Sequence, residues 1–182
     1  MKRLRGCLKW LLLIWGSFTL VITIALGVFI SYQLTITNRD KDDLASPDDV
    51  RFVLNWCGFG DNRIERVIHS HISARSFTGD HLDAFAIKVS KMDEVELESK
   101  TNNFEKRWYR CDQLPPMLAE AIKFVDGWHH EIPWFPGGSE LRSSNFYVSV
   151  WSVYFHGDRP TAADLIFVRP SDQMVFYFGG KT

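Results

Sequence analysis

Residues 67–90, VIHSHISARSFTGDHLDAFAIKVS, decide the fold. Two apolar-alternating runs flank Thr78-Gly79-Asp80-His81, and Gly79-Asp80 suits a two-residue hairpin turn. That turn sets Ile72 against Ile87, Ala74 against Phe85 and Ser70 against Val89 on one face. His69, His71, Ser73 and Arg75 fall on the other, opposite Ser90, Lys88, Ala86 and Ala84. Because side chains alternate with period two, this register sorts the apolar residues to a single side.

Further along, residues 146–155, 162–169 and 174–179 read as three more strands, with His156–Pro160 and Pro170–Gln173 as turns. Both faces of this meander are apolar, as in Phe146, Tyr147, Val148, Val150, Trp151 and Val153. Such a sheet needs cover on both sides or presents one side to a partner. Ser46-Pro47-Asp48-Asp49 opens a helix whose buried face is Val50, Val53, Leu54 and Cys57, and Gly58 stops it. A second helix follows Pro115-Pro116, with Met117, Leu118, Ala121, Ile122 and Val125 as its inner stripe and Gly127 at its end. Residues 93–106 are highly charged and read as a surface excursion with room for one helical turn; residues 128–138, with two Pro and two Gly, read as a loop. The expected class is α+β: an antiparallel sheet of about five strands, hairpin plus three-strand meander, with two main helices.

Upstream lies a different kind of polymer. No charged residue occurs from Trp10 to Asn38, and residues 10–32 form a 23-residue apolar run. As a helix this is ~35 Å long against a hydrocarbon core of ~30 Å, enough to span with some tilt. Trp10, Trp15 and Tyr32 sit near its ends, where amphipathic rings favour the interface. The alternative is signal cleavage after Gly27, but Val28, Phe29 and Ile30 continue the apolar run past that point. The division is therefore a basic tip (1–9), a transmembrane helix (10–32), a polar linker (33–45) and one α+β domain (46–182).

Charge gives orientation. The tip carries Lys2, Arg3, Arg5 and Lys9 and no acid, whereas Arg39–Asp43 mixes two cations with three Asp. The positive-inside rule then expects a cytoplasmic N-terminus and an extracytoplasmic domain. The whole-chain net charge of -1 is a cancellation, because beyond residue 38 there are 17 basic and 22 acidic groups. That acidic balance excludes a nucleic-acid binder. None of the six Asn begins an N-x-[ST] sequon, which favours a bacterial inner membrane with a periplasmic domain.

Candidate chemistry is sparse. Cys57 and Cys111 form an even pair for an oxidising compartment and invite a disulfide. His69-x-His71 points two imidazoles to one strand face, a workable spacing for a metal or an anion with Arg75, although Lys88 is the expected neighbour of His71. His129-His130-Glu131 lacks the helical spacing of a zinc protease, and His156 with Asp158 has no assigned nucleophile. No catalytic residue, metal site or cofactor is therefore assigned. The aromatic group Trp128, Trp134 and Phe135 either anchors a partner or plugs the end of the core.

The expected function is a non-catalytic protein-interaction domain, anchored in the bilayer through residues 10–32 and binding another envelope protein. An envelope-assembly subunit or an immunity-type inhibitor fits. The alternative is a membrane-tethered periplasmic hydrolase, metal-dependent around His69 and His71.

Overall fold

The computed structural model describes residues 2–37, 44–76, 78–101 and 108–182. It divides into two units, residues 1–39 and 40–182. The first holds one helix, α1 (Lys2–Thr37), in which Leu12–Tyr32 is long and apolar enough to cross a membrane. Two of its hydroxyls bond within the helix: Thr19 donates to the Trp15 carbonyl at 2.8 Å and Thr23 to that of Thr19 at 2.9 Å. This matters in a setting without water, where an unpaired hydroxyl is costly.

The second unit is α+β, as expected. Its elements are α2 (Arg51–Trp56), β1 (Ile64–Ile72), β2 (His81–Val89), α3 (Glu94–Thr101), β3 (Trp108–Arg110), α4 (Pro116–Gly127), α5 (Gly138–Leu141), β4 (Tyr147–His156), β5 (Arg159–Arg169) and β6 (Met174–Lys181). The six strands form one antiparallel sheet in the order β1-β2-β6-β5-β4-β3. The hairpin and the meander thus join through β6, whose residues Val175–Gly180 are all buried.

The sheet has two apolar faces and both are packed. One carries Val67, Phe85, Ile87, Tyr147, Ile166, Val168, Val175 and Tyr177 under Val53 and Leu54 of α2 and Leu97 of α3. The other carries Ala84, Ala86, Val148, Leu165, Phe167, Phe176 and Phe178 under Ala121, Ile122 and Val125 of α4, with Ile132, Phe135 and Leu141. The expected Ser46 cap does not start the helix: Ser46 and Asp49 close a turn ahead of it, the Asp49 carboxylate accepting from the Ser46 amide at 2.9 Å and its hydroxyl at 2.7 Å, and α2 begins at Arg51 behind Val50 with no side-chain cap.

Four further expectations change. The sheet has a sixth strand, β3, in a three-residue piece too short for periodicity to show. In the charged stretch 93–106 the single helical turn expected is an eight-residue helix, α3, whose single buried anchor is Leu97; residues 102–106 lie outside the described residues, as do 38–43 of the linker and Phe77. Met117 is 62% exposed, so the inner stripe of α4 begins later, at Ala121.

The fourth change is the hairpin register. β1 ends at Ile72 and β2 starts at His81, pairing Ser70 with Phe85, His71 with Ala84 and Ile72 with Asp83. His71 therefore does not face Lys88, which pairs with Arg66. From His69 to Ile72 the displacement is four residues, so these side chains keep their face and the apolar pattern cannot register the difference; toward the start of β1, irregularities between Ile64 and Arg66 and between Val67 and His69 change the offset, and Val67 joins Phe85 and Ile87 on one face. Small polar side chains hold the longer loop instead. Ser73 Oγ accepts from the Leu82 amide at 2.7 Å, Ser76 Oγ from the Asp80 amide at 2.8 Å, and Thr78 donates to Asp80 at 2.6 Å. These bonds compete with the ladder and end it early.

Candidate functional site

Cys57 and Cys111 are both free and both buried, and they belong to the cores on opposite faces of the sheet. The expected disulfide is not formed, because the sheet lies between them. Burial pushes the Cys57 thiol up to about 12, against a smaller opposing pull from Lys100. Burial likewise raises Cys111, and Asp112 adds to it. Both are inert, protonated core residues.

His69 and His71 do share a face, the one with Ala86 and Ala84 opposite them. Arg75 is not with them: it forms an ion pair with Asp83 at 2.6 Å. Among the described residues no group of three or more His, Cys, Asp or Glu side chains could hold a metal ion. His71 Nε2 is buried without a hydrogen-bond partner.

His69 stacks on Trp134, with ring centroids 5.1 Å apart and planes at 20°. Together with His129, Phe135, Glu140 and Arg169 they border a cleft of about 450 Å³. Arg169 is held by Glu140 at 2.5 Å and Asp172 at 2.8 Å, so its charge is already neutralised. Phe135 is buried, packing edge-on against Phe167, Phe176 and Phe178, and Trp128 and Trp134 are partly buried against the same core. The aromatic loop thus mainly closes the core, and only the Trp134 edge of it meets a cleft.

The most exposed aromatic surface of this unit lies elsewhere, along β4. Trp151 is 45% exposed and Tyr154 64% exposed. With Met117, Leu118, Tyr109 and Phe155 they line a groove of about 670 Å³. A β-bulge between Val150 and Ser152 turns Trp151 toward α2, where it stacks on Trp56 at 4.5 Å with planes 6° apart. Sequence inspection cannot find this pair, since 95 positions separate the rings and only the sheet and α2 bring them together.

Beside this groove, the α2 face of the sheet becomes polar. The row Ile166–Tyr177–Phe85 is apolar and covered by Phe52 of α2. The next row is Ser152–Asp164–Gly179–Asp83, and the one beyond it Tyr154–Ala162–Lys181–His81. Tyr177 leans over Gly179 and donates to Asp164 Oδ1 at 2.8 Å, and Ser152 donates to Oδ2 at 2.6 Å. Burial, then the Asp164 carboxylate, push the Tyr177 hydroxyl up, so it is a donor throughout the neutral range. Asp83 takes Arg75 on Oδ2, while its Oδ1 is buried without a partner. None of this was visible in the chain order, because each row draws on four strands.

Comparison with known protein families, curated proteins and solved structures returned no match.

Proposed function

We propose that this chain is a single-pass, membrane-anchored protein whose second unit is an extracytoplasmic, non-catalytic module that binds another envelope protein along β4. The observation that carries the reading is the exposed Trp151–Tyr154–Met117 surface around the β4 groove, on a sheet with a packed apolar core on each face. Exposed contiguous apolar surface marks interaction sites, and aromatic anchors supply most of the energy at such interfaces. The apolar helix α1 supports the anchor, and the four cations with no acid ahead of it support a cytoplasmic N-terminus. A tethered hydrolase at His69 and His71 is the weaker reading, since a third ligand is missing among the described residues.

A photoreactive amino acid placed at Met117 or Tyr154 of the full-length protein, in its native membrane, tests the surface. A discrete adduct from both positions, with none from Glu65 on β1, is the expected result. Equal labelling from all three, or none from any, refutes it. Protease added outside the inner membrane should digest the second unit and spare the tip.

A further inference from the structure

We propose that the polar end of the α2 face is a binding site for a neutral saccharide. This goes beyond the protein-interaction reading and stands or falls separately from it. The two outermost rows of the sheet place His81, Lys181, Ala162, Tyr154 and Asp164 around a depression of about 440 Å³. The hollow has a simple origin: Ala162 carries only a methyl group where its row neighbours Tyr154 and Lys181 carry long side chains. Its volume lies in the range of small-ligand sites.

The lining decides the class of ligand. Lys181 is a cation and Asp164 a carboxylate, so the site carries both signs. A ligand with a single net charge gains from one and is opposed by the other. His81 Nδ1 lies 2.8 Å from the Gly79 carbonyl and so carries a proton toward it. In the neutral ring Nε2 is then an acceptor. The Lys181 ammonium is already steadied by the Thr78 carbonyl at 3.1 Å and retains further donors. Asp164 is fixed by Tyr177 and Ser152 and retains further acceptor capacity. The site thus offers donors and acceptors at fixed positions, the requirement of sugar hydroxyls, which are both. At its rim stands Tyr154, 64% exposed, a flat apolar ring for the C–H face of a pyranose.

The test uses the full-length protein in a detergent without a sugar head group. Cellotetraose and the N-acetylglucosamine tetramer are the neutral probes, and the glucosamine tetramer and tetragalacturonate the cationic and anionic ones. Calorimetric titration should show saturable binding of at least one neutral probe, at least tenfold tighter than either charged probe; which neutral probe binds separates a plain glucan from an acetamido-sugar polymer. Ala162→Leu fills the depression and should weaken binding at least tenfold, while Ala162→Ser keeps it; both should retain the wild-type thermal midpoint. If Ala162→Leu unfolds, Tyr154→Ala at the exposed rim takes its place and should weaken binding at least fivefold. No saturable binding of either neutral probe, tighter binding of a charged one, or full affinity in the filled variant overturns the proposal.

Discussion

Gly179→Ala is the sharpest probe of the polar row, because the two general rules that bear on it disagree. Gly179 sits in the middle of β6 between Asp83 and Asp164, and its φ is not positive. An alanine there meets no backbone strain, and the loss of unfolded-state freedom alone would stabilise by ~0.4–1 kcal/mol. The contacts point the other way. The new methyl would stand 2.8 Å from Cζ and 3.0 Å from Cε1 of Tyr177, and closer still to its hydroxyl. Tyr177 cannot swing aside freely: Phe52 packs edge-on to it at 5.1 Å, and Phe85 stacks on it at 5.7 Å. Relief requires the ring to shift and its hydroxyl to leave Asp164. Overpacking costs ~1–3 kcal/mol and the lost bond to a carboxylate ~1.5–3 kcal/mol, so the net destabilisation is about 2–5 kcal/mol. Urea unfolding of the full-length protein in micelles, followed by tryptophan fluorescence, measures it. Tyr177→Phe closes a double-mutant cycle: with no hydroxyl bond left to break, Gly179→Ala should cost less in that background. A Gly179→Ala protein as stable as the wild type, or strictly additive behaviour in the cycle, would refute the placement of Tyr177 over Gly179.

Three further outcomes follow from the same structure. Cys57 and Cys111 should resist iodoacetamide at pH 8 in the folded protein and both react in urea, with no mass change on reduction; a reducible bond between them would contradict their separation by the sheet. Above pH ~10, where an unfolded tyrosine ionises, the raised Tyr177 hydroxyl makes the folded state hold the extra proton. Its contribution is therefore complete below pH ~10 and lost as pH rises through its folded value, at up to ~1.4 kcal/mol per pH unit, and Tyr177→Phe should flatten that decline in pH-dependent urea melts. Gln173 has φ 58° and its amide donates to the Pro170 carbonyl at 2.7 Å and the Met92 carbonyl at 3.0 Å. Gln173→Gly relieves ~1–2 kcal/mol of left-handed strain but removes these bonds and the one accepted from the Met92 amide, at ~1 kcal/mol each, so a thermal midpoint lower by a few degrees is expected and a higher one would refute the clamp.

What the chain order disclosed and what it hid have a common cause. Local periodicity and caps identified both main helices, five of the six strands and the apolar N-terminal helix, since each depends on neighbours a few residues away. Val53, Leu54, Ala121, Ile122 and Val125 are buried as their spacing required. The hairpin shift escaped because a displacement of four from His69 to Ile72 leaves those faces unchanged, the irregularities further up β1 have no periodic signal, and the hydroxyls of Ser73, Ser76 and Thr78 resemble any polar loop. The polar rows escaped for a deeper reason: Asp164 and Asp83 become neighbours of Gly179 only once β6 is inserted between β2 and β5. The aromatic loop stands out by composition, yet Phe135 is core, and Trp151 and Tyr154, outwardly two more residues of an apolar strand, are the exposed rings.

The two edges of the sheet explain why a partner would favour β4. An edge strand offers unpaired amides and carbonyls, so proteins guard it with charges, bulges or short length. β1 and β4 each carry two irregularities in their pairing, but β1 adds the exposed charges Glu65 and Arg66, and its Ser70 is occupied by the Ala45 amide at 3.0 Å. β4 is guarded less. Residues 150–155, VWSVYF, contain no charge, proline or glycine, and β3 pairs only with Tyr147–Ser149. Among the described residues no strand lies outside Val153–His156. A chain added there would meet main-chain groups from β4, with alternate side chains received by the groove beside Met117 and Leu118 and by the exposed Tyr154 ring. Strand addition at this edge would leave the apolar cores on both faces of the sheet intact.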